Sequence, residues 1–352
     1  MLFNFPKLVK QLLSDYPDYD YSVLNTCLFL SCWLTFSFDS SVTSMRGLFR
    51  KLNLGGKQVD QSTFSKANQH RSSQPFETLY QSLNRLVKKK NKPSKDWDIC
   101  PIDSTTITLT SKVFWALDYH QVKLFNAVSQ SQGSCESCVI NFGSAHDYKF
   151  ATAVTDPLSE KQVAVMDRGF AALPYFAALK EANKPFVIRL SLNYKKEPLE
   201  SGEWQVGTGK HAGSYRLVWF SDLETKVTYC LMTNLPITVS NEEVSDIYRL
   251  RWQIELFWKF LKMHLKLDPL IRKSVNGVQL QLYACLCAYL IIQLLEIPEI
   301  WGSRLLDKLR FFQARITQEY SLVHWIDRIL DDRPIRLYME SPELAIRFDR
   351  CT

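Results

Sequence analysis

Up to about residue 90 the apolar positions recur at mixed spacings of three and four, the period of amphipathic helices. QSTFSKANQH, residues 61–70, and PFETLYQSLNRLVKKK, residues 75–90, predict two short helices, the second ending in a basic run. KKKNKPSK, Lys88–Lys95, breaks that pattern with proline, serine and like charges and reads as a linker. From Asp98 the texture becomes that of strands. ICPIDSTTITL, HQVKLFNAVS and SCVINFGS, separated by polar breaks, predict an antiparallel meander. KQVAVMDRGF then predicts a short buried strand, AALPYFAALKEANK an amphipathic helix and PFVIRLSL another strand. Three strands followed by strand–helix–strand argue a mixed α/β sheet flanked by helices. Residues 201–236 alternate β-formers with glycines and predict a small β-insertion, and helical patterning returns from Asn241.

One run, LQLYACLCAYLIIQLL from Leu280 to Leu295, is apolar enough to raise the question of a membrane. It is shorter than the roughly 20 residues a bilayer requires, and Gln281 and Gln293 lie inside it, so it predicts a buried core helix. The apolar stretch LNTCLFLSCWLTFSF follows Asp15, Asp18 and Asp20, which argues against a secretory signal. The expectation is a cytoplasmic protein without a membrane partner. The 352 residues carry a formal charge of +7, which points to an anionic partner only where the cations cluster. Nine scattered cysteines, an odd number, suit reduced thiols. Cys135 and Cys138 have no second ligand pair spaced for a zinc ribbon, and the histidines form no helical metal pair.

The acids of the β region are placed unusually. Asp103 shares strand parity with Ile99, Ile107 and Leu109, and Asp167 with Val163 and Val165 at the end of an apolar run. A carboxylate on a core-facing side costs several kcal/mol unless it is paired or bound to a metal. A third acid, Glu255, lies within DIYRLRWQIELFWKFLKMHLKL, residues 246–267. At about 100° per residue, Tyr248, Arg251, Glu255, Lys259, Lys262 and Lys266 fall within about 80° of one another, beside a separate stripe of Leu250, Ile254, Phe257, Leu261 and Leu265. On pattern alone, a solvated helix with an i,i+4 Glu255–Lys259 pair worth about 0.2–0.5 kcal/mol is the simpler account.

A resemblance gives these residues another reading. The spacing Tyr248-x2-Arg251-x3-Glu255-x6-Lys262 resembles the Y-R-E-K signature of DDE transposases of bacterial insertion sequences, in the subgroup numbered family four. PIDSTTI around Asp103 resembles that family's first aspartate motif, MDRGF from Asp167 its second, and MTNLP is similar to the segment before the signature helix. The similarity covers about residues 98–290. It implies a ribonuclease H-like catalytic domain at 96–300 with a β-insertion at about 195–238. Helical regions flank it at 1–95, for binding DNA, and at 301–352, for pairing protomers. It implies Asp103, Asp167 and Glu255 as catalytic ligands of Mg²⁺ or Mn²⁺, two ions, since carboxylate-only ligation suits hard cations. Tyr248, Arg251, Lys259, Lys262, Lys266 and Arg168 would meet DNA, and Tyr229 would stack a base. The implied partners are the terminal inverted repeats, target DNA and a second protomer in the synaptic complex, with the protein on the nucleoid when bound. Two other readings fit the same residues: a nuclease of this fold without strand transfer, and a DNA-binding protein whose catalysis has decayed.

Overall fold

The computed structural model describes residues 5–13, 16, 21, 23–54, 59–94, 97–221 and 227–316. They fall into two compact units, residues 91–259 and a second unit built from residues up to 90 together with those from 260 onward. The chain begins with α1 (Phe5–Leu12), α2 (Thr26–Phe38), α3 (Met45–Leu54), α4 (Gln61–His70) and α5 (Gln74–Lys90). The sheet region follows with β1 (Asp98–Thr108), α6 (Lys112–Trp115), β2 (Gln121–Val128), β3 (Cys135–Phe142), α7 (Ala151–Thr155), β4 (Gln162–Met166), α8 (Leu173–Glu181) and β5 (Phe186–Leu190). Next come β6 (Lys196–Pro198), β7 (Trp204–Val206), β8 (Gly213–Ser221), β9 (Thr228–Thr233), α9 (Asn241–Arg249), α10 (Trp252–His264), α11 (Val275–Leu294) and α12 (Leu305–Ile316).

The strands form one sheet in the order β3-β2-β1-β4-β5-β9-β8-β7-β6. The expected meander is present, with β1, β2 and β3 antiparallel in turn. β4 lies parallel to β1 and β5 parallel to β4, and α8 is the crossover that parallel neighbours need. The segment β3-β2-β1-β4-β5 is the mixed core of a ribonuclease H-like fold. The four strands of the insertion do not fold apart from it. β9 pairs antiparallel with β5, and β8, β7 and β6 follow outward. The outer edge of β5 is thereby paired rather than left open to other chains. Residues 222–226 of the insertion lie outside the described residues.

Alternation along the central strands divides the core into two layers. Cys100, Ile102, Ala164, Met166, Phe186 and Ile188 face one way, against Val154, Phe176 and Leu179 of α7 and α8. Val163, Val165, Val187, Val218 and Leu231 face the other way, against Val244 and Tyr248 of α9. α9 starts at a capping box in which Ser240 and Glu243 satisfy each other's backbone N–H groups. Burial of Val244 adds about 1.5–3 kcal/mol to the seating of that helix. The consequence is positional: the layer covered by α9 is also the layer to which Asp103 and Asp167 belong by parity.

The second unit is helical. α11 packs on α5, α2 and α4, and is buried almost throughout. Among the described residues it is the one helix long and apolar enough to cross a membrane, and 78% of its apolar window is buried inside the fold. Its polar interruptions are paired, as buried amides must be. Gln281 donates to Lys266 O and Pro269 O and accepts from Ile271 N, and Gln293 donates to the Tyr289 hydroxyl. Lys90, from the basic end of α5, caps α11 by donating to Leu294 O at 2.9 Å and pairs with Glu296 at 3.3 Å. By contact α11 groups with the N-terminal helices, which cover its largely apolar surface. The region expected at 301–352 is represented by α12, and residues 317–352 lie outside the described residues.

Candidate functional site

Two of the three acids are brought together by strand register. In the parallel ladder between β1 and β4, Ile102 is the partner of Met166. Asp103 and Asp167 are the next residues on these adjacent strands and share a face. Asp167 stands just past the end of β4 and starts the turn Arg168–Phe170. Asp103 remains in β1, and its Oδ1 accepts the Ser104 backbone N–H at 2.8 Å.

The third acid arrives on α10. The stretch Asp246–Leu267 is not one helix: it breaks at Leu250–Arg251 between α9 and α10. There Arg251 N bonds back to Tyr248 O and Gln253 N to Leu250 O, three-residue bonds that tighten the turn. No glycine or proline marks the break. A continuous helical wheel is therefore wrong across it, yet the turn leaves Tyr248 in contact with Asp167 and Arg251 in contact with both Glu255 and Asp103. Arg251 donates to Glu255 Oε1 at 2.7 Å, and its other terminal nitrogen lies 3.9 Å from Asp103 Oδ2. The Tyr248 hydroxyl donates to Asp167 Oδ1 at 3.3 Å. Arg189 of β5, which sequence reasoning passed over as a strand arginine, also lies 3.9 Å from Asp167 Oδ1.

The electrostatics follow from this crowding. Burial pushes the Asp103 carboxyl up to about 6; the Ser104 N–H and Arg251 pull it down, and Glu255 and Asp147 push it further up. The Tyr248 hydroxyl is pushed up to about 12, first by burial and then by Asp167. For Arg251 burial opposes the charge, but the Glu255 hydrogen bond and the surrounding groups, Asp167 among them, hold the guanidinium above its ordinary value. The arrangement is a group of carboxylates whose negative charge is only partly met by cations. Among the described residues, no three acidic, histidine or cysteine side chains are already gathered into a metal-binding cluster. The space between Asp103 and Glu255 is bridged by the Arg251 guanidinium. The three side chains offer oxygen donors only, the ligand type that hard divalent cations prefer.

The remaining candidates divide. Lys259 is exposed on α10, and Lys262 follows it, half-buried, in the same helix. Arg168 is exposed in the turn after Asp167. Lys266 departs from the expected stripe. It lies past the end of α10 with a φ of 60°, and its ammonium donates to Asp39 O and Val42 O and sits 4.3 Å from the Phe36 ring centroid. Those contacts anchor the helical unit, and a wheel drawn through Lys266 fails because the helix has ended. Tyr229 is half-buried in β9, flanked by the neighbouring strands. Phe220 of β8 stacks on it at 5.1 Å and the Arg189 guanidinium lies 4.3 Å from its centroid. One further acid was missed: Asp147, in the turn before α7, accepts from Ser104 Oγ and pairs with Lys123 of β2. Nothing in SAHDYKF marks it, since the segment has neither strand nor helix period.

Comparison with known proteins identifies relatives of the chain. Residues 95–291 match the family model described as the transposase DDE domain. The chain is 45% identical over 334 residues to a putative transposase for insertion sequence element IS4SA from Synechocystis, covering 93% of this chain and 98% of that one. It is 26% identical over 287 residues to a probable transposase for insertion sequence element IS5377 from Geobacillus stearothermophilus, covering 74% of this chain and 72% of that one. It is also 38% identical over 117 residues to the putative transposase InsL for insertion sequence element IS186A from Escherichia coli, covering 32% and 31% respectively.

Proposed function

The chain belongs to the DDE transposases of insertion sequences, and on that premise we propose that Asp103, Asp167 and Glu255 are its catalytic carboxylates. The observation that carries the assignment is the bridge of Arg251 between Glu255 and Asp103, with Asp167 set beside Asp103 by the β1–β4 register. When bound between these carboxylates, two divalent ions, Mg²⁺ or Mn²⁺, would activate the attacking oxygen and stabilise the leaving one. The residues divide the remaining work. Tyr248, Arg251 and Lys262, matching the Y-R-E-K signature, hold backbone phosphate: Arg251 through a forked contact, Lys262 as a point charge, Tyr248 through its hydroxyl. Lys259 and Arg168 add exposed positive charge. Water attacks the phosphodiester at the element's end, the bond from phosphorus to the 3′ oxygen breaks, and a 3′-OH is released. That hydroxyl then attacks a target phosphodiester and displaces a target 3′-OH. No ATP and no covalent protein–DNA intermediate is required.

Residues 1–95 are assigned to the terminal inverted repeats and the C-terminal region to pairing of two protomers in the synaptic complex. The protein is placed in the cytoplasm, on the nucleoid when DNA is bound. Incubation with DNA carrying the element's ends and Mg²⁺ tests the whole reading. Release of a 3′-OH followed by joining to a second duplex supports it. Release without joining indicates a nuclease, and binding without release indicates decayed catalysis.

Two finer assignments have their own checks. Lys262→Ala is expected to weaken binding of cleaved ends and to flatten the slope of log K against log salt by about one charge; an unchanged slope removes Lys262 from phosphate. Tyr229 is assigned to stacking a base turned out of the duplex, worth about 1–3 kcal/mol, with Arg189 leaving its ring to make room. A 2-aminopurine at the element's terminal positions should brighten on binding the wild type and respond less to Tyr229→Ala. An identical response from both proteins counts against stacking.

A further inference from the structure

We propose that Asp147 is a positioning residue for Asp103, acting through Ser104; this rests on the reading of Asp103, Asp167 and Glu255 as metal-binding carboxylates. Three observations converge. First, Ser104 makes two hydrogen bonds of different purpose: its backbone N–H donates to Asp103 Oδ1 at 2.8 Å, and its Oγ–H donates to Asp147 Oδ2 at 3.1 Å. One residue thus ties the candidate ligand to the fourth acid. Second, Asp147 is itself fixed. Lys123 of β2 donates to its Oδ1 at 2.8 Å and to Ala145 O at 3.0 Å, and the two side chains are only 16% and 22% exposed. A pair so shielded interacts more strongly than one in open solvent. Third, Asp147 lies against the turn that leaves Asp167. A Cβ added at Gly169 would stand 3.6 Å from Asp147 Oδ2.

The strand ladder shows why such a brace is useful. β4 pairs with β1 only as far as Ile102–Met166, so from Asp103 onward β1 has no ladder partner on that side. The Ser104–Asp147–Lys123 chain takes over at that point. It holds the Ser104 peptide where its N–H fixes one oxygen of Asp103 and leaves Oδ2 directed toward Arg251. Groups that orient a ligand without touching the ion commonly change metal affinity by 10–100-fold when removed. Asp147 spends both oxygens on Ser104 and Lys123, which suits bracing and not ligation.

The test is Mn²⁺ binding to the full chain, read from the paramagnetic resonance of the free ion, with melting measured separately in EDTA. Asp103→Asn is the control for the site. Ser104→Ala breaks the link while leaving the Lys123–Asp147 pair intact, Ser104→Thr keeps the hydroxyl, and Asp147→Ala removes the brace. Ser104→Ala and Asp147→Ala are expected to raise the Mn²⁺ dissociation constant about 10–100-fold, with Ser104→Thr within about threefold of wild type. Melting of Ser104→Ala in EDTA should stay close to wild type, which a merely structural bond would not explain. If Asp147→Ala fails to fold, Ser104→Ala and Ser104→Thr decide. Wild-type affinity in Ser104→Ala, with binding lost in Asp103→Asn, overturns the proposal and leaves the metal site standing. Failure of Ser104→Thr to restore affinity overturns it too. Binding that is absent from wild type, or indifferent to Asp103→Asn, overturns the site reading and this proposal with it.

Discussion

Asp103→Asn is expected to remove strand cleavage by on the order of 10³-fold or more, the loss that follows when several kcal/mol of ion-borne stabilisation disappears. The same substitution should make the metal-free protein more stable. The Asp103 carboxyl stands at about 6 in place of 3.8, chiefly because it is buried. A carboxyl raised by folding binds its proton more tightly in the folded state than in the unfolded one. Its contribution is fully favourable below about pH 4 and is lost as the pH rises through about 6. Above that the charged form costs on the order of 3 kcal/mol. Asparagine carries no charge to desolvate and keeps an oxygen for the Ser104 N–H, though it gives up the attraction of Arg251. In EDTA at pH 8 the variant should therefore exceed wild type by about 1–3 kcal/mol, and the difference should vanish near pH 4. Thermal unfolding across that range checks it. A variant less stable than wild type at pH 8 would mean that Arg251 and its neighbours already compensate the charge. Cleavage within tenfold of wild type would take Asp103 out of the chemistry.

The candidate acids stand out in the sequence unequally. Asp103 and Asp167 sit on the core-facing parity of strands, where a carboxylate is costly, whereas the pattern around Glu255 fits a solvated i,i+4 pair and only the Y-R-E-K resemblance singles it out. The two aspartates break a local rule, and broken local rules gather at functional sites. The strand–helix order, the meander, the crossover α8 and the two helices at 61–70 and 75–90 were legible for the opposite reason, because their periods and breaks agree with the fold. What was not legible depends on distant partners. The parallel register that sets Asp103 beside Asp167 joins residues 64 apart, with no turn to fix it. The break at Leu250–Arg251 has no glycine or proline to announce it. Lys266 fits the cationic stripe by spacing, yet the left-handed backbone there turns it toward Asp39 and Val42. α11 reads as a core helix, but which core it joins depends on helices about 200 residues earlier, among them the α5 that Lys90 ends. Arg189 and Asp147 lie in segments whose local pattern is that of an ordinary strand and an ordinary turn.

Arg251 leads to the second large effect, and its sign depends on what is measured. In the DNA-free protein its guanidinium is held by Glu255 at 2.7 Å and faces Asp103 at 3.9 Å. A divalent ion drawn to the same two carboxylates must share their charge with that cation or displace it. A phosphate placed by DNA offers the guanidinium a competing, forked partner, so binding of a DNA end would release Arg251 from Glu255 and free the carboxylates together. Arg251→Ala removes the competitor. Its affinity for Mn²⁺ without DNA should rise, by about tenfold if only one to two kcal/mol of the pairing is lost. Its affinity for cleaved ends should fall, with the salt slope flattened by about one charge. Arg251→Lys keeps the charge but loses the fork, so it should recover the salt slope without recovering the full affinity. Mn²⁺ titration of the free protein and end binding at several salt concentrations separate the two effects. A loss of Mn²⁺ affinity in Arg251→Ala would show that the guanidinium holds Glu255 in place for the ion instead of competing with it. The exchange of partners between carboxylate and phosphate would then have no part in coupling DNA binding to the metal site.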